Sequence, residues 1–172
     1  MTRRELWRGG RRDGRPWMVL AVGFLLVGPG SCGAWAQVQN PGARAATLLP
    51  PDAPLMATPG RSLVVPLQVE VAAGFHINAD KPTFDYLIPT RLEWTSTEFK
   101  LLRVEYPKPE KRTFSFSPDA PLDVYQGTVR IQSRFQAPRQ AAAGKLPLRG
   151  KLRYQACDDK ACYPPVTLPV EV

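Results

Sequence analysis

The sequence predicts an antiparallel β-sandwich of immunoglobulin type, and three observations predict it. Apolar residues recur at every second position in several short runs, the period of strands with one buried face. No long segment carries a helical stripe. Of the 19 prolines, 17 follow residue 36, well above the usual share of about 5%, and they oppose long helices.

Residues 1–36 stand apart from this pattern. Arg3, Arg4, Arg8, Arg11, Arg12 and Arg15 precede an apolar run from Trp17 to Val27, and Ala34-Trp35-Ala36 follows. This is the layout of a secretory signal cleaved before Gln37. The apolar run is about half the length a bilayer-spanning helix needs, so no permanent membrane span is expected. Cys32 follows Pro29-Gly30-Ser31, a poor lipidation context. Export would place the chain in a compartment where disulfides persist.

Charge excludes one class of partner. The full chain carries +8, but the leader holds six basic and two acidic residues, so half of the excess leaves with it. The remaining basic residues are dispersed, and nucleic-acid binding is not expected. A monomer is expected.

Residues 37–53 are rich in Pro, Ala and Gly and read as a flexible lead-in with at most one short strand. The domain is expected over 54–172. Leu63, Val65, Leu67, Val69 and Val71 share one strand face, Leu102, Val104 and Tyr106 another, and Val129, Ile131 and Phe135 a third. Between Lys145 and Gln155, Leu146, Leu148, Leu152 and Tyr154 alternate with basic residues. Val166, Leu168, Val170 and Val172 form the last strand, where Pro169 removes a donor and so predicts an edge. The Cys…Trp…Cys spacing of antibody domains is absent; Trp94 is the one tryptophan after the leader.

Two cysteines remain, four residues apart in Tyr154-Gln155-Ala156-Cys157-Asp158-Asp159-Lys160-Ala161-Cys162-Tyr163-Pro164-Pro165. Cys157 ends one strand and Cys162 opens the next. Partners near a hairpin turn lie about 4.5–5.5 Å apart at Cα, which suits a disulfide. Closing so small a loop contributes only about 2 kcal/mol, so a structural staple and an exchangeable pair both stay open. Asp158 and Asp159 should raise the thiol pKa values, with Lys160 offsetting this in part. Such a pair suits attack by a partner's thiolate while oxidised. Tyr163-Pro164-Pro165 offers a stiff, flat docking surface beside Cys162.

Tyr-Gln-Ala-Cys-x4-Cys-Tyr-Pro-Pro, followed by Val-Thr-Leu-Pro-Val, resembles the N-terminal domain of the thiol:disulfide interchange protein DsbD. Gly74-Phe75-His76-Ile77-Asn78-Ala79-Asp80-Lys81-Pro82 and Leu87-Ile88-Pro89-Thr90 are similar to that group as well. The resemblance implies an immunoglobulin-like periplasmic domain. Its pair, Cys157 and Cys162, would pass electrons between thioredoxin-like proteins, free in the periplasm or membrane-tethered, as a protein-disulfide reductase or interchange activity. It implies an aromatic cap loop over the disulfide, here Lys111 to Ser117, with Phe114 or Phe116 as the lid; the family's acidic-aromatic cap sequence is not reproduced. His76 and Asn78 stand where family members often place tyrosines. His76 is either a half-buried strand residue without a redox role or a neighbour of the pair whose protonated form stabilises a thiolate. The family's transmembrane and C-terminal thioredoxin-like domains have no counterpart in this sequence, so a stand-alone copy meeting its electron donor as a separate protein is expected.

Two cysteines and one histidine are too few for a zinc site, and no cofactor motif is present. The alternative function is a secreted binding module whose hairpin disulfide is inert.

Overall fold

The spine of the molecule is a ten-residue antiparallel pairing between β2 (Ser62–Val71) and β8 (Gly127–Gln136), running from Ser62↔Gln136 to Val71↔Gly127. Both strands alternate buried and exposed residues, as one-faced burial requires. Val65, Leu67, Val69 and Val71 point inward with Val129, Ile131 and Phe135. Each such aliphatic side chain contributes about 1.5–3 kcal/mol on leaving water.

The computed structural model describes residues 40–95, 98–140 and 146–172. The expected signal, its cleavage site, Cys32 and Lys145 lie outside the described residues. The remaining strands are β1 (Ala46–Leu49), β3 (His76–Asn78), β4 (Arg91–Trp94), β5 (Lys100–Glu105), β6 (Glu110–Phe114), β7 (Ser117–Tyr125), β9 (Arg149–Tyr154), β10 (Ala156–Cys157) and β11 (Val166–Glu171). They form three antiparallel sheets ordered β1-β2-β8-β5, β10-β3-β7-β6 and β11-β9-β4. Leu67, Val69 and Ile131 of the first sheet share one core with Leu92, Leu152, Tyr154 and Val170 of the third and Ile77 and Tyr125 of the second. The fold is thus the expected immunoglobulin-like β-sandwich.

Two corners place the candidate site. Gly127, at φ +61°, carries the chain from β7 in the second sheet into β8 in the first; glycine takes this left-handed backbone without a Cβ penalty. At Gln155 the chain leaves β9 in the third sheet and joins β3 of the second as β10. The cysteine motif therefore begins where one strand changes sheets.

Several expectations are corrected. The segment read as a flexible lead-in is integral from Asn40 onward: a 3-10 turn, Pro41–Arg44, leads into β1, and Ala45 and Ala46 are buried. Leu102 is 47% exposed because β5 slips register between Leu101 and Arg103; beyond the slip, Val104 and Tyr106 pack on the core as expected. Leu146 lies outside β9 on the surface, while Leu148 is buried. Pro169 falls in β11, which pairs with β9 alone, so it does occupy an edge strand.

Candidate functional site

Cys157 and Cys162 form a disulfide with Cα atoms 4.0 Å apart and pair as a single antiparallel bridge. The hairpin differs from the expected one in that its cysteines stand closer at Cα and in that Cys162 does not open the next strand, since β11 starts only at Val166. The loop folds on its own first acid. The Asp158 N–H donates to the Ala161 carbonyl at 3.0 Å, and its Oδ1 accepts from the Lys160 and Ala161 amides at 2.7 and 2.9 Å. This is the local turn chemistry aspartate favours. Its Oδ2 accepts from the Tyr163 hydroxyl at 2.6 Å. The Tyr163 bond first, then the two amides, hold Asp158 down at about 2, and the same bond raises Tyr163. Asp158 thus holds the turn together, a role its sequence position had not suggested.

The two cysteines differ in access. Cys157 is 0% exposed, on the strand that pairs with β3. Cys162 is partly exposed and borders a cleft of about 300 Å³ with Tyr86, Leu87, Phe116, Gln155 and Lys160.

His76 lies directly opposite Cys157 across the β3–β10 ladder, and opposite residues of an antiparallel pair project to one face. It is a neighbour of the pair. It is also 1% exposed rather than half-buried, and burial lowers it to about 4 against the raising influence of Asp159 and Asp158. In the disulfide form the imidazole is therefore neutral near pH 7. Its Nε2 has no hydrogen-bond partner.

The aromatics of the expected cap loop cover this arrangement. Phe114 ends β6 and is 6% exposed, its ring stacked on His76 with centroids 3.9 Å apart. Phe116 follows in the turn, 38% exposed and parallel to Phe114 at 5.5 Å. Between them, the Ser115 hydroxyl donates to the Asp159 carbonyl. The tip of the β6–β7 turn is thus fastened to the disulfide loop.

Asn78 sits one layer back. Its Nδ2 donates to Ile88 O and to Gln155 Oε1, both at 3.1 Å. Gln155 Oε1 also accepts from the Ile88 amide, and its Nε2 donates to Tyr163 O. This network joins the 78–88 loop to the cysteine hairpin through the corner residue. Sequence reasoning gave Gln155 no role, although its place inside the Cys motif was the available signal. It also missed Asn40, whose Nδ2 donates to Pro164 O, and Gly42, whose carbonyl accepts from the Tyr154 hydroxyl. A Cβ on Gly42 would lie 3.0 Å from that of Tyr163.

Two solved structures from Neisseria meningitidis are similar. The reduced DsbD N-terminal domain shares 19% identity over 62% of this chain and 74% of that one, with a TM-score of 0.42. The complex between the DsbD N-terminal and PilB N-terminal domains shares 20% over 72% and 85%, with a TM-score of 0.41. No curated protein matches significantly. The family "Thiol:disulfide interchange protein DsbD, N-terminal" matches residues 45–172, from the residue before β1 to the end of the sequence. That match takes in the disulfide hairpin, its aromatic cover and the strand beneath it, and the chain belongs to the DsbD N-terminal domain family.

Proposed function

We propose that this domain is an exported, periplasmic thiol-disulfide exchange module, a monomer passing electrons between thioredoxin-like partners through Cys157 and Cys162. One observation carries the reading: the two cysteines are unequal, Cys157 buried and Cys162 partly exposed at a cleft it shares with Phe116. An inert staple needs no such asymmetry. Among the described residues no helix is long and apolar enough to cross a membrane.

Access sets the order of events. A partner thiolate attacks Cys162 Sγ, the Cys157–Cys162 bond breaks, and its electron pair leaves on Cys157. The partner's second thiolate then attacks its own sulfur in the mixed disulfide and releases Cys162. The partner dithiol is oxidised to a disulfide, this pair is reduced, and each cysteine takes up a proton. Delivery to an acceptor disulfide runs the same steps in reverse, with Cys162 as attacking thiolate. Phe116 must swing aside for either approach.

The test is the redox potential of the pair, from thiol trapping in dithiothreitol or glutathione buffers. A value above about −300 mV, with Cys157→Ser trapping a mixed disulfide through Cys162 and Cys162→Ser trapping none, supports the reading. A potential far below that value without exchange makes the disulfide a staple and the domain a binding module.

A further inference from the structure

Three buried polar atoms of the described residues lack a hydrogen-bond partner: His76 Nε2, Asn78 Oδ1 and Arg134 Nε. An orphan of this kind costs free energy, so one beside a disulfide requires a reason. His76 is opposite Cys157 in the ladder, on the same face, with Phe114 stacked on its ring. Side chains so paired have Cβ atoms about 4.5–5.5 Å apart, within reach of each other.

We propose that His76 is the proton acceptor for Cys157, through a hydrogen bond that exists only while the disulfide is open. This rests on the exchange reading above. A disulfide sulfur has no proton to donate, so the nitrogen is an orphan in the oxidised form. The Cys157 thiol supplies the missing donor once the bond is cut. Burial keeps the imidazole neutral, which is the form that accepts. Cys157 is itself sealed from solvent, so bulk water is a poor recipient for its proton.

The step belongs to electron delivery. With Cys162 joined to an acceptor sulfur, the Cys157 thiol gives its proton to Nε2 and its electron pair attacks Cys162 Sγ. The Cys157–Cys162 bond forms, the Cys162–acceptor bond breaks, and the acceptor sulfur leaves as thiolate. The imidazolium then returns its proton to that thiolate. The charges acting on His76 are Asp158 and Asp159 of the hairpin, which favour the transient cation, and Arg112 of β6, which opposes it.

The experiment is stopped-flow closure of the reduced protein with dithiobis(nitrobenzoate). The first coloured thiolate reports mixed-disulfide formation at the accessible sulfur, and the second reports closure by Cys157. Between about pH 5 and about pH 9, which spans ordinary histidine and thiol values, His76→Phe should slow the second release about tenfold or more. Its rate should then follow the Cys157 thiolate fraction, and His76→Gln, which keeps an acceptor atom, should recover part of the loss. Equal rates and equal profiles in all three proteins overturn the proposal. Wild-type protein gives a reading free of any folding defect: the His76 Nε2 nitrogen resonance should shift on reduction, and an unchanged resonance overturns it. A pair that never takes up the first thionitrobenzoate overturns the exchange reading itself, and this one with it.

Discussion

Ser115 and Asp159 fasten the β6–β7 turn to the disulfide hairpin: the serine hydroxyl at the tip of the turn donates to the Asp159 carbonyl inside the hairpin. The contact joins two segments that any docking partner must separate. It is also exposed, so water replaces it at little cost once broken.

Ser115→Ala should therefore loosen the lid without unfolding the domain. The expected cost to global stability is at most about 1 kcal/mol. Reduction of the disulfide by dithiothreitol should nonetheless become several-fold faster. Urea unfolding and the kinetics of thiol appearance read the two effects separately, and unchanged reduction kinetics would show that the lid is held elsewhere.

Phe114 and Phe116 should separate in the same pair of assays. Phe114 is buried with Leu87, Leu122 and Val124 and lies on His76, so Phe114→Ala should cost about 3–5 kcal/mol. Phe116 lies at the cleft rim, half out of the core. Phe116→Ala should change stability by less than about 1 kcal/mol, as a surface truncation does, yet speed the attack on Cys162. A large stability loss at Phe116 would make it a packing residue and not a lid.

Gly150 marks a close approach between β9 and β4. A Cβ there would lie 2.6 Å from the Glu93 carbonyl and 3.0 Å from the Trp94 ring. Backbone cannot yield as a side-chain tip does, so Gly150→Ala should cost about 1–3 kcal/mol through overpacking. Trp94, whose Nε1 donates to the buried Ser133 hydroxyl at 2.8 Å, should report it. Fluorescence-monitored urea unfolding of protein lacking the leader gives the midpoint shift, and an unmoved midpoint would mean that β4 slides to make room.

The sandwich was legible where burial is one-sided and unbroken. β2 and β8 alternate because one face meets the core at every second residue. Leu102 was misread because a register slip is a property of two strands and leaves no mark in one. Asn40 and Gly42 were invisible for a related reason, since their partners Pro164 and Tyr154 lie more than a hundred residues away. At the site, cysteine spacing and flanking residues pointed to the pair. The resemblance, not the period, put His76 beside it. Its charge state could not be read from the strand, because the burial that decides it comes partly from Phe114 on β6.

That burial makes a prediction about acid. His76 stays neutral in the folded protein down to about pH 4, whereas in the unfolded chain it protonates near its ordinary 6.5. The unfolded state therefore binds more protons in this window, and stability falls as pH drops from about 6.5 to about 4. The His76 contribution to that fall should be of order 3 kcal/mol, from a shift of about two to three units. Asp158 acts in the same sense but at lower pH: its carboxyl is held below its unfolded value, so its contribution stands above about pH 4 and is lost only as pH approaches 2. The two windows barely overlap. Comparing urea unfolding of wild type and His76→Phe at about pH 7 and about pH 4.5 isolates the histidine, because the carboxylates are common to both proteins. The wild type should lose more stability than the variant between these pH values, and parallel losses would mean that His76 is solvated in the folded state and does not carry the acid sensitivity.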